Sequence, residues 1–520
     1  MKTLLSKKLI IAFVAILLCI TSMKAQTPTP QSKIRDYKLK HNSLQRIKQK
    51  QSVNNSAPNF NLKINPYWQD VNAPHAINNS HISQVQIPSA NVVWAHIDYD
   101  TSAYVANQFI RTADFGRTWQ KDSVDTPNGY GLSSIAAVDA NTCYAAMYNA
   151  FNYGGSIYKT TDGGVTWKEL EQGKLFTTSQ SFPDMIYFFD AQHGVAVGDA
   201  DDVDTTRSEI YTTSDAGKTW QRVPDKNLPP TKGYTFSDIN AFTVFQNRLW
   251  FIAGDTQGNT YMYRSDDLGK HWRQFPYTLS TPIYHFAFAD KQNGLGLSFD
   301  FGTGQTYEVA TRDGGKTWAD KSFTGYQMGF WVTVIPFTHT FVSTISGGYT
   351  PVSGCSYSND YGATWHLIDT SSDFQPGALS FLNPFIGWCG RWDSPDPNGG
   401  MYKWKYHFSL DDNAVATNTN TSSDDAIASA KNNTTSLSAY PNPVSNSASI
   451  SFDLSQTQKV SVTIYDMNGR LIKTLVDAQM EVGNHQLTWN AKSENVIAGT
   501  YLLKMQAGDK IETKKISVVR

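Results

Sequence analysis

Short apolar runs recur along the middle of the chain, and each is bounded by turn residues. Examples are HGVAVGDA (193–200), RLWFIAGD (248–255) and NGLGLSFD (293–300), each preceded by another β-rich run such as PDMIYFFD (183–190). Runs of four to eight residues that are rich in β-branched and aromatic side chains, and are interrupted by Gly and Asp, indicate strands rather than helices. The pattern predicts an all-β protein.

One octapeptide follows these runs six times, and we call its copies the repeat turns. They are TADFGRTW (112–119), TTDGGVTW (160–167), TSDAGKTW (213–220), SDDLGKHW (265–272), TRDGGKTW (311–318) and SNDYGATW (358–365). The last residues of successive copies are 48, 53, 52, 46 and 47 positions apart, which is the length of a four-stranded propeller blade with its loops. Segment 377–405 has blade character without the octapeptide. Counting it predicts about seven blades within residues 65–410, with a closing strand near residues 66–70.

The residues of a repeat turn suit a tight hairpin. The aspartate can accept hydrogen bonds from nearby backbone N–H groups, and the glycine two places later can take a positive φ. The tryptophan starts the next strand and is expected to pack between blades. We therefore interpret these as structural residues: Asp114, Asp162, Asp215, Asp267, Asp313, Asp360, Trp119, Trp167, Trp220, Trp272, Trp318 and Trp365.

The repeat turns resemble the Asp-box, or bacterial neuraminidase repeat, of sialidases, xyloglucan-cleaving glycosidases and propellers of the photosystem II assembly factor type. The resemblance spans residues 112–365. It implies a β-propeller whose aspartates are structural, and it does not specify an activity. Sialidases bind the sugar carboxylate with three arginines, the first in an Arg-Ile-Pro type motif that this sequence lacks. The xyloglucanases place their acids between two propellers, whereas one is predicted here.

The N-terminal 64 residues have a different character. Residues 1–25 combine a basic start, an apolar run over 9–20 and a polar end, which predicts a cleavable signal peptide, and residues 26–64 predict a basic spacer. No later segment approaches the roughly 20 apolar residues that span a bilayer, so we expect no transmembrane segment in the mature chain. Beyond the signal peptide, Cys143, Cys355 and Cys389 allow at most one disulfide and have no metal-ligand spacing.

The C-terminal part begins after a polar tract without aromatics, residues 411–436, which predicts a flexible linker. Alternating strands resume over 437–520, and the turn Asp466–Gly469 is a strong hairpin signal. The predicted architecture is a small Ig-like β-sandwich. An ordinary adhesion sandwich is one interpretation of this segment.

Residues 437–520 also closely resemble the type A sorting domain of the type IX secretion system. The resemblance rests on YPNP (440–443), IYDMNGRLI (464–472), AGTYLLKM (498–505) and KKISVVR (514–520). It implies passage through the periplasm and outer membrane, recognition by the secretion machinery, removal of the domain, and release or surface attachment. The residues carried over as the sorting signal are Tyr440, Pro441, Asn442, Pro443, Asp466, Gly469, Gly499, Tyr501, Lys514 and Arg520.

Candidate chemistry lies in the loops that a propeller places on the face opposite its repeat turns. The candidate ligand-face residues are Asp199, Asp201, Asp202, Asp204, Arg207, Asp255, Asp300, Tyr349, Arg391, Trp392 and Asp393. Acids beside aromatic rings suit sugar binding, or glycoside hydrolysis by two carboxylates about 5–9.5 Å apart. The acidic loop over 199–209 could hold a structural calcium ion, although we predict no cofactor and no defined metal site. Solvated polar loops without function are the alternative interpretation.

Charge and composition narrow the function classes without choosing one. The 520 residues include 44 Lys and Arg against 45 Asp and Glu, so no strong field attracts nucleic acid. The leading prediction is a monomeric secreted or cell-surface propeller that binds an extracellular glycan or protein ligand. Two alternatives stay open, a glycoside hydrolase and a surface adhesin or structural component. Enzymatic activity is not decided, a non-enzymatic role is favoured, and sialidase activity is not expected.

Overall fold

A computed structural model describes residues 67–74, 80–99, 106–405 and 437–519. Within these ranges it omits residues 128, 152–153, 234, 277–278, 280–282, 301–304, 328, 330, 346–352, 371–373, 393–398, 495 and 509. Only the backbone is described for residues 236, 238–240, 299–300 and 305–306. The predicted signal peptide, basic spacer and linker lie outside the described residues, as do Tyr349, Asp393 and Arg520.

Residues 68–404 form seven antiparallel sheets, which we number as blades in chain order. The first strand is β1 (Trp68–Val71). Blade 1 has β2 (Ser80–Ser89), β3 (Val92–Tyr99), β4 (Gln108–Thr112) and β5 (Gln120–Ser123); blade 2 has β6 (Tyr130–Ala137), β7 (Cys143–Asn149), β8 (Gly155–Thr160) and β9 (Lys168–Glu169); blade 3 has β10 (Pro183–Phe188), β11 (Gly194–Ala200), β12 (Ser208–Thr213) and β13 (Gln221–Arg222).

The remaining blades follow a short 3-10 helix, Asp225–Asn227. Blade 4 has β14 (Thr235–Phe245), β15 (Arg248–Asp255), β16 (Thr260–Ser265) and β17 (Arg273–Pro276); blade 5 has β18 (Ile283–Phe288), β19 (Gly294–Asp300), β20 (Gln305–Thr311) and β21 (Ala319–Asp320); blade 6 has β22 (Thr324–Gly325), β23 (Trp331–Val334), β24 (Phe341–Ile345), β25 (Gly354–Ser358) and β26 (Thr364–Asp369); blade 7 has β27 (Pro376–Asn383), β28 (Ile386–Arg391) and β29 (Met401–Trp404). Strand β22 adds a parallel edge to β26.

The ring is closed by the first strand of the propeller. Strand β1 pairs antiparallel with β29, from Trp68 opposite Trp404 to Val71 opposite Met401, and so completes blade 7. Trp68 is buried, and its ring centroid lies 4.8 Å from that of Trp404. The closing strand expected near residues 66–70 and the seven blades are confirmed. Because the two ends of the propeller share one sheet, the ring is held shut by strand pairing.

The hydrophobic core is divided among the junctions between blades. One buried cluster occupies each of the seven junctions. Tryptophans of the repeat turns contribute to them. Trp167 of blade 2 packs against Phe109 of blade 1 with centroids 5.6 Å apart, and Trp119 of blade 1 lies 5.6 Å from Trp388 of blade 7. Each blade is therefore stabilised mainly by its neighbours.

The repeat turns share one hydrogen-bonding pattern. In blade 5, Asp313 accepts hydrogen bonds from the N–H of Thr317 (3.0 Å) and from the hydroxyls of Thr311 (2.8 Å) and Thr317 (2.7 Å). The Thr311 hydroxyl in turn accepts the N–H of Gly315 at 3.0 Å, and Gly315 has φ +84°. A positive φ at this position explains the glycine. The aspartate therefore stabilises the hairpin by accepting hydrogen bonds from residues of the same turn.

The strand order defines two faces. We count the strands of each blade outward from its innermost strand, so that β23 is the first strand of blade 6. The turns from first to second strand and from third to fourth strand of each blade lie at one end, which we call the repeat-turn face. The loops from second to third strand and from each blade to the next lie at the other end, which we call the open face. First strands of neighbouring blades contact one another around the axis. Side chains at the start of a first strand are therefore placed near the axis on the open face.

Residues 437–519 form two sheets around one core. In chain order the strands are β30 (Ser438–Tyr440), β31 (Ala448–Leu454), β32 (Gln458–Asp466), β33 (Leu471–Met480), β34 (Gly483–Trp489), β35 (Gly499–Ala507) and β36 (Lys510–Val518). One sheet has the order β30-β31-β34 and the other β33-β32-β35-β36. Phe452 of the first sheet and Val462 and Leu503 of the second are fully buried in the shared core. No helix in the described part of the chain is long and apolar enough to cross a bilayer.

Candidate functional site

The innermost strands carry a repeated irregularity near the open face. In blades 1, 2, 3 and 5 the pairing of the first strand shifts by one residue, and the bulged residues are Ser83, Ser133, Asp184 and Tyr284. A bulge leaves one residue outside the ladder and redirects its side chain. The bulge therefore redirects one side chain at an equivalent position in each of these four blades.

These bulged residues connect neighbouring blades. The Ser133 hydroxyl donates to the Pro183 carbonyl oxygen (2.5 Å), and the Ser237 hydroxyl donates to the Asp184 carboxylate (2.8 Å). Gln84 of blade 1 accepts the N–H of Ile135 of blade 2 at 2.8 Å. All these side chains are buried. They form a polar inner ring from blade 1 to blade 4 that was not predicted from the sequence.

Asp199 and Asp201 end the second strand of blade 3, and both are buried. Asp199 accepts the N–H of Ser237 in blade 4 at 2.9 Å. Asp201 accepts the N–H groups of Val203 (3.0 Å) and Asp204 (2.8 Å) and forms an ion pair with Arg222. Burial opposes ionisation of Asp201, but these partners outweigh it and hold its pKa below the ordinary value. Both carboxylates therefore serve the fold.

The rest of the acidic loop is paired with its own residues and with neighbouring segments. Asp202 is exposed and accepts the N–H (3.1 Å) and hydroxyl (2.9 Å) of Ser179. Asp204 accepts the N–H of Thr206 at 2.9 Å and forms an ion pair with Arg207. Arg207 also donates to the Leu228 carbonyl oxygen at 2.9 Å. These contacts order the loop.

Asp255 occupies the equivalent position in blade 4. It is 3% exposed and accepts the N–H groups of Gln257 (3.0 Å), Asn259 (2.9 Å) and Lys232 (3.2 Å) and the hydroxyl of Tyr261 (3.0 Å). Burial opposes ionisation, and these donors outweigh it, so the pKa of Asp255 is lowered. A carboxylate with this many fixed donors is suited to holding a turn.

Glu209 is a carboxyl group of the blade 3 site whose pKa is shifted upward. Burial raises its pKa, against hydrogen bonds from the hydroxyls of Ser181 (2.5 Å) and Tyr211 (2.6 Å). Arg222 and Asp201 act on it electrostatically. Sequence reasoning missed Glu209, although it closes the acidic loop over 199–209. Asp201 and Glu209 thus have opposite pKa shifts beside one arginine.

A row of four aromatic and imidazole rings lies on the other side of the axis. The ring centroids of His81 and Trp392 are 3.8 Å apart and stacked, Trp392 lies 5.4 Å from Trp331, and Trp331 lies 4.9 Å from His285. The rings belong to blades 1, 7, 6 and 5. His81, His285 and Trp331 lie near the starts of first strands, and Trp392 follows a second strand, so the row is at the open face. We call it the ring row.

The ring row combines buried and accessible members. His81 and Trp392 are 3% and 5% exposed, whereas Trp331 and His285 are half-buried. Desolvation lowers the pKa of His285 to about 4, so this imidazole is neutral at pH 7. The row therefore offers apolar ring surface where Trp331 reaches solvent.

A second histidine of blade 1 lies beside the ring row. The Ser83 hydroxyl is 2.9 Å from His96 Nδ1, and burial lowers the pKa of His96 to about 4. His96 Nε2 is buried and has no hydrogen-bond partner among the residues that the structure describes. Asp98 carries a carboxylate oxygen 4.0 Å from His81 Nε2. Sequence reasoning missed these inner-strand residues, and their recurring place at the start of each blade was the available signal.

The structure divides the predicted candidates into two groups. Asp199, Asp201, Asp202, Asp204, Arg207 and Asp255 belong to blades 3 and 4, whereas Arg391 and Trp392 belong to blade 7. Arg391 contacts the closing strand, with its guanidinium 3.4 Å from Asp70 and over the Tyr402 ring at 5.6 Å. Only the backbone of Asp300 is described. The two groups lie in different blades of the ring, and their convergence on one rim stays a prediction.

The described residues contain no group of three or more His, Cys, Asp or Glu side chains arranged to hold a metal ion. In the acidic loop, Asp201 and Asp204 direct their oxygens to backbone N–H groups and arginines. A calcium ion in this loop would have to displace those donors.

The C-terminal domain presents its motif residues in two ways. Residues 440–443 are exposed, and Asn442 ties them to the last strand by donating to the Lys515 carbonyl oxygen and accepting the Ser517 N–H, both at 2.9 Å. Asp466 and Gly469 form the turn between β32 and β33, whereas Tyr501 is buried and donates to the Ile497 carbonyl oxygen at 2.8 Å. Gly499 begins β35, and Lys514 lies within β36.

Comparison with known proteins decides the nature of this domain. Residues 438–519 match the family described as secretion system C-terminal sorting domain. The chain carries a type IX sorting domain. This domain directs the protein out of the cell, to the cell surface or into the medium, and implies interaction with the type IX secretion machinery.

The curated relatives include a xyloglucanase. Xyloglucanase Xgh74A of Acetivibrio thermocellus is 26% identical over an alignment of 241 residues, and the match covers 40% of this chain and 28% of that protein. The chain thus matches little more than a quarter of the relative's length. Among solved structures, "YCF48 bound to D1 peptide" is 14% identical with a TM-score of 0.43, covering 66% of this chain and 96% of its own. The GH74 xyloglucanase from Xanthomonas campestris is 13% identical with a TM-score of 0.40, covering 66% and 56%.

Proposed function

We propose that this exported propeller binds an extracellular glycan through the ring row on its open face. The observation that carries the proposal is the succession of His81, Trp392, Trp331 and His285 rings across four blades. Ligand sites are commonly lined by aromatic side chains with a few fixed polar groups, and flat rings present apolar faces. Trp331 is partly accessible, and it is the residue expected to stack against a sugar ring.

Binding is favoured over hydrolysis by the state of the carboxylates. Asp201 and Asp255 are buried and have lowered pKa values. A general acid needs a raised pKa, and a nucleophile or base needs a free face toward substrate. These aspartates are instead committed to backbone N–H groups and Arg222. They support a rigid scaffold for binding.

The test is affinity electrophoresis of the mature protein in soluble polysaccharides, including xyloglucan, with Trp331→Ala as the variant. We expect retardation by at least one polysaccharide and a loss of affinity of about tenfold on removal of the stacking ring. The matched control is Phe115→Ala, which removes a 45% exposed aromatic side chain from the repeat-turn face. Unfolding midpoints of both variants check that the fold persists. Equal affinity in Trp331→Ala and the unchanged protein would contradict the proposal.

Glycoside hydrolysis is the second candidate, favoured by the likeness to xyloglucanase Xgh74A. The pKa of Glu209 is raised and that of Asp201 is lowered, and both residues lie beside Arg222. In this candidate function Glu209 would be the general acid and Asp201 the ionised carboxylate. The same polysaccharide panel is scored for released reducing sugar, with Glu209→Gln as the variant. Sugar release that Glu209→Gln abolishes would establish hydrolysis, whereas binding without release supports the first proposal. If the polysaccharide panel shows neither binding nor sugar release, the remaining candidate is a protein ligand.

A further inference from the structure

The sorting domain contacts the propeller through the turn between β32 and β33. The N–H of Ala90 donates to the Asn468 side-chain oxygen at 3.0 Å, and the Asn383 side-chain amide donates to the Met467 carbonyl oxygen at 2.7 Å. Ala90 lies in the turn between the first two strands of blade 1, and Asn383 lies in the equivalent turn of blade 7. Both turns belong to the repeat-turn face.

Blades 6 and 5 extend the same contact. The ring of Phe337, in the first turn of blade 6, lies 4.7 Å from the Tyr465 ring. A Cβ at Gly469 would be 3.3 Å from Phe337 Cζ, so the glycine permits a close approach. Asp290, in the first turn of blade 5, acts electrostatically on Lys504 of the sorting domain. Four consecutive blades, 5, 6, 7 and 1, therefore meet one domain, and we call their first turns the seat.

The turn that enters the seat is held by its own hydrogen bonds. Asp466 accepts the N–H groups of Asn468 and Arg470 through its carboxylate, both at 3.0 Å, and the N–H of Gly469 through its backbone oxygen at 3.0 Å. Gly469 has φ +83°. A preformed turn loses little conformational freedom on docking, which favours the contact.

The seat also has a buried polar side chain that the docked turn satisfies. Asn383 is 1% exposed, its oxygen accepts the N–H of Phe385 at 2.8 Å, and its amide nitrogen donates across the interface to Met467. A buried amide without an acceptor is costly. The docked turn therefore supplies an acceptor for this amide in the place that water would take on a bare propeller surface.

We propose that the propeller is a docking partner for its own sorting domain, and that the docking depends on the covalent connection between them. The described residues supply two hydrogen bonds, one ring pair and one charge interaction across the interface. Stable independent partners usually share about ten direct hydrogen bonds and bury at least roughly 1,200 Å². A covalent connection through residues 406–436 places the partners at an effective concentration on the order of millimolar. The intact chain holds the turn in the seat, and cutting that connection releases it.

One consequence concerns the secretion machinery. In the docked chain the Asp466–Gly469 turn is occupied by the propeller, whereas Tyr440 is 79% exposed and residues 441–443 are also exposed. The machinery therefore has access to the 440–443 segment without displacing the propeller. This inference involves the face opposite the ring row and is independent of the proposed glycan binding.

The experiment is hydrogen exchange on the full chain carrying an engineered protease site within residues 411–436, before and after cutting. We expect peptides containing Ala90 and Asn468 to be protected from exchange in the intact chain. After cutting, at micromolar protein concentration, they should exchange about tenfold faster, because the two parts are no longer held at an effective concentration on the order of millimolar. The two fragments should then separate on size-exclusion chromatography. Peptides from β31, in the other sheet of the sorting domain, should be unaffected, which shows that the domain stays folded.

Asn468→Ala provides the variant and Asn484→Ala the matched control. Asn468→Ala removes the acceptor for the Ala90 N–H, and we expect faster exchange at Ala90 in the uncut chain. Asn484 bonds to Asp453 within the sorting domain, so its replacement should leave Ala90 unchanged. Unaltered exchange at Ala90 after cutting and in Asn468→Ala would overturn the docking. Fragments that stay associated at micromolar concentration would overturn the dependence on the tether.

Discussion

Trp365 of blade 6 donates its indole N–H to the carboxylate of Glu308 in blade 5, with the nitrogen 2.6 Å from Oε2. The tryptophan belongs to a repeat turn, and the glutamate lies in the third strand of the preceding blade. The side chain of Glu308 is fully buried, and Lys321 Nζ lies 3.7 Å from Oε1. Burial raises the pKa of Glu308 from 4.5 to about 8, against the opposing hydrogen bond from Trp365 and the charge of Lys321.

The raised pKa predicts a pH dependence of stability. Between pH 4.5 and 8 the folded state binds more protons at Glu308 than the unfolded state, so its contribution to the free energy of unfolding falls as pH rises, by at most about 1.4 kcal/mol per pH unit. Glu308→Gln should remove this fall and make the variant relatively more stable at pH 9. Urea unfolding at pH 5, 7 and 9 checks it, with exposed Asp122→Asn as control. An unchanged pH slope in Glu308→Gln would refute the assignment.

Replacing Asp201 should destabilise the protein by disrupting the blade 3 site. Asp201→Asn removes the ion pair with Arg222 and weakens the acceptor for two backbone N–H groups. We expect a loss of about 1–3 kcal/mol in the free energy of unfolding. The exposed neighbour Asp202→Asn should cost about 0.5 kcal/mol or less. Chemical denaturation of both variants at pH 7 measures the difference, and equal midpoints would show that the ion pair contributes nothing.

Removing the indole that anchors the closing strand should weaken the ring. Trp68 packs against Trp404, Phe374 and Phe381, so Trp68→Ala should lower the free energy of unfolding by about 3–5 kcal/mol. Its exposed neighbour on the same strand, Gln69→Ala, keeps β1 and should have little effect. Thermal and urea unfolding provide the comparison. If both variants unfold like the parent, strand β1 does not stabilise the propeller.

The repeat-turn aspartates should act through stability rather than activity. Asp313→Ala leaves the N–H of Thr317 and two threonine hydroxyls without their acceptor, at a cost of about 1–3 kcal/mol. Burial opposes ionisation of Asp313, but these donors lower its pKa, so the stabilisation present at pH 7 is lost as pH falls through the folded-state pKa. Lys316→Ala in the same turn is the control. Urea unfolding at pH 7 and pH 3 measures both, and an equal effect of the two variants would contradict this role.

Much of the propeller was predictable because the sequence patterns that specify its blades are short and repeated along the chain. The spacing of Trp167, Trp220 and the other repeat-turn tryptophans set the blade length, and the turn chemistry depends on residues within six positions of one another. The closing strand near residues 66–70 could be expected because a propeller is commonly closed by a strand from the other end of its chain, and the structure shows this pairing. The candidate site was less predictable. From the sequence, Asp201 and Asp255 were expected to face a ligand, whereas in the structure they are buried and accept hydrogen bonds from the backbone.

The sequence by itself determined the strand pattern, the number of blades and the sorting motifs, since each follows from neighbouring residues and their period. Only the tertiary structure decided which side chains meet across blades: Trp392 with His81, Trp365 with Glu308, and Asn468 with Ala90. Those pairs are separated by tens to hundreds of residues. Their contacts depend on the closure of the ring and on burial, which no local pattern of polar and apolar positions specifies.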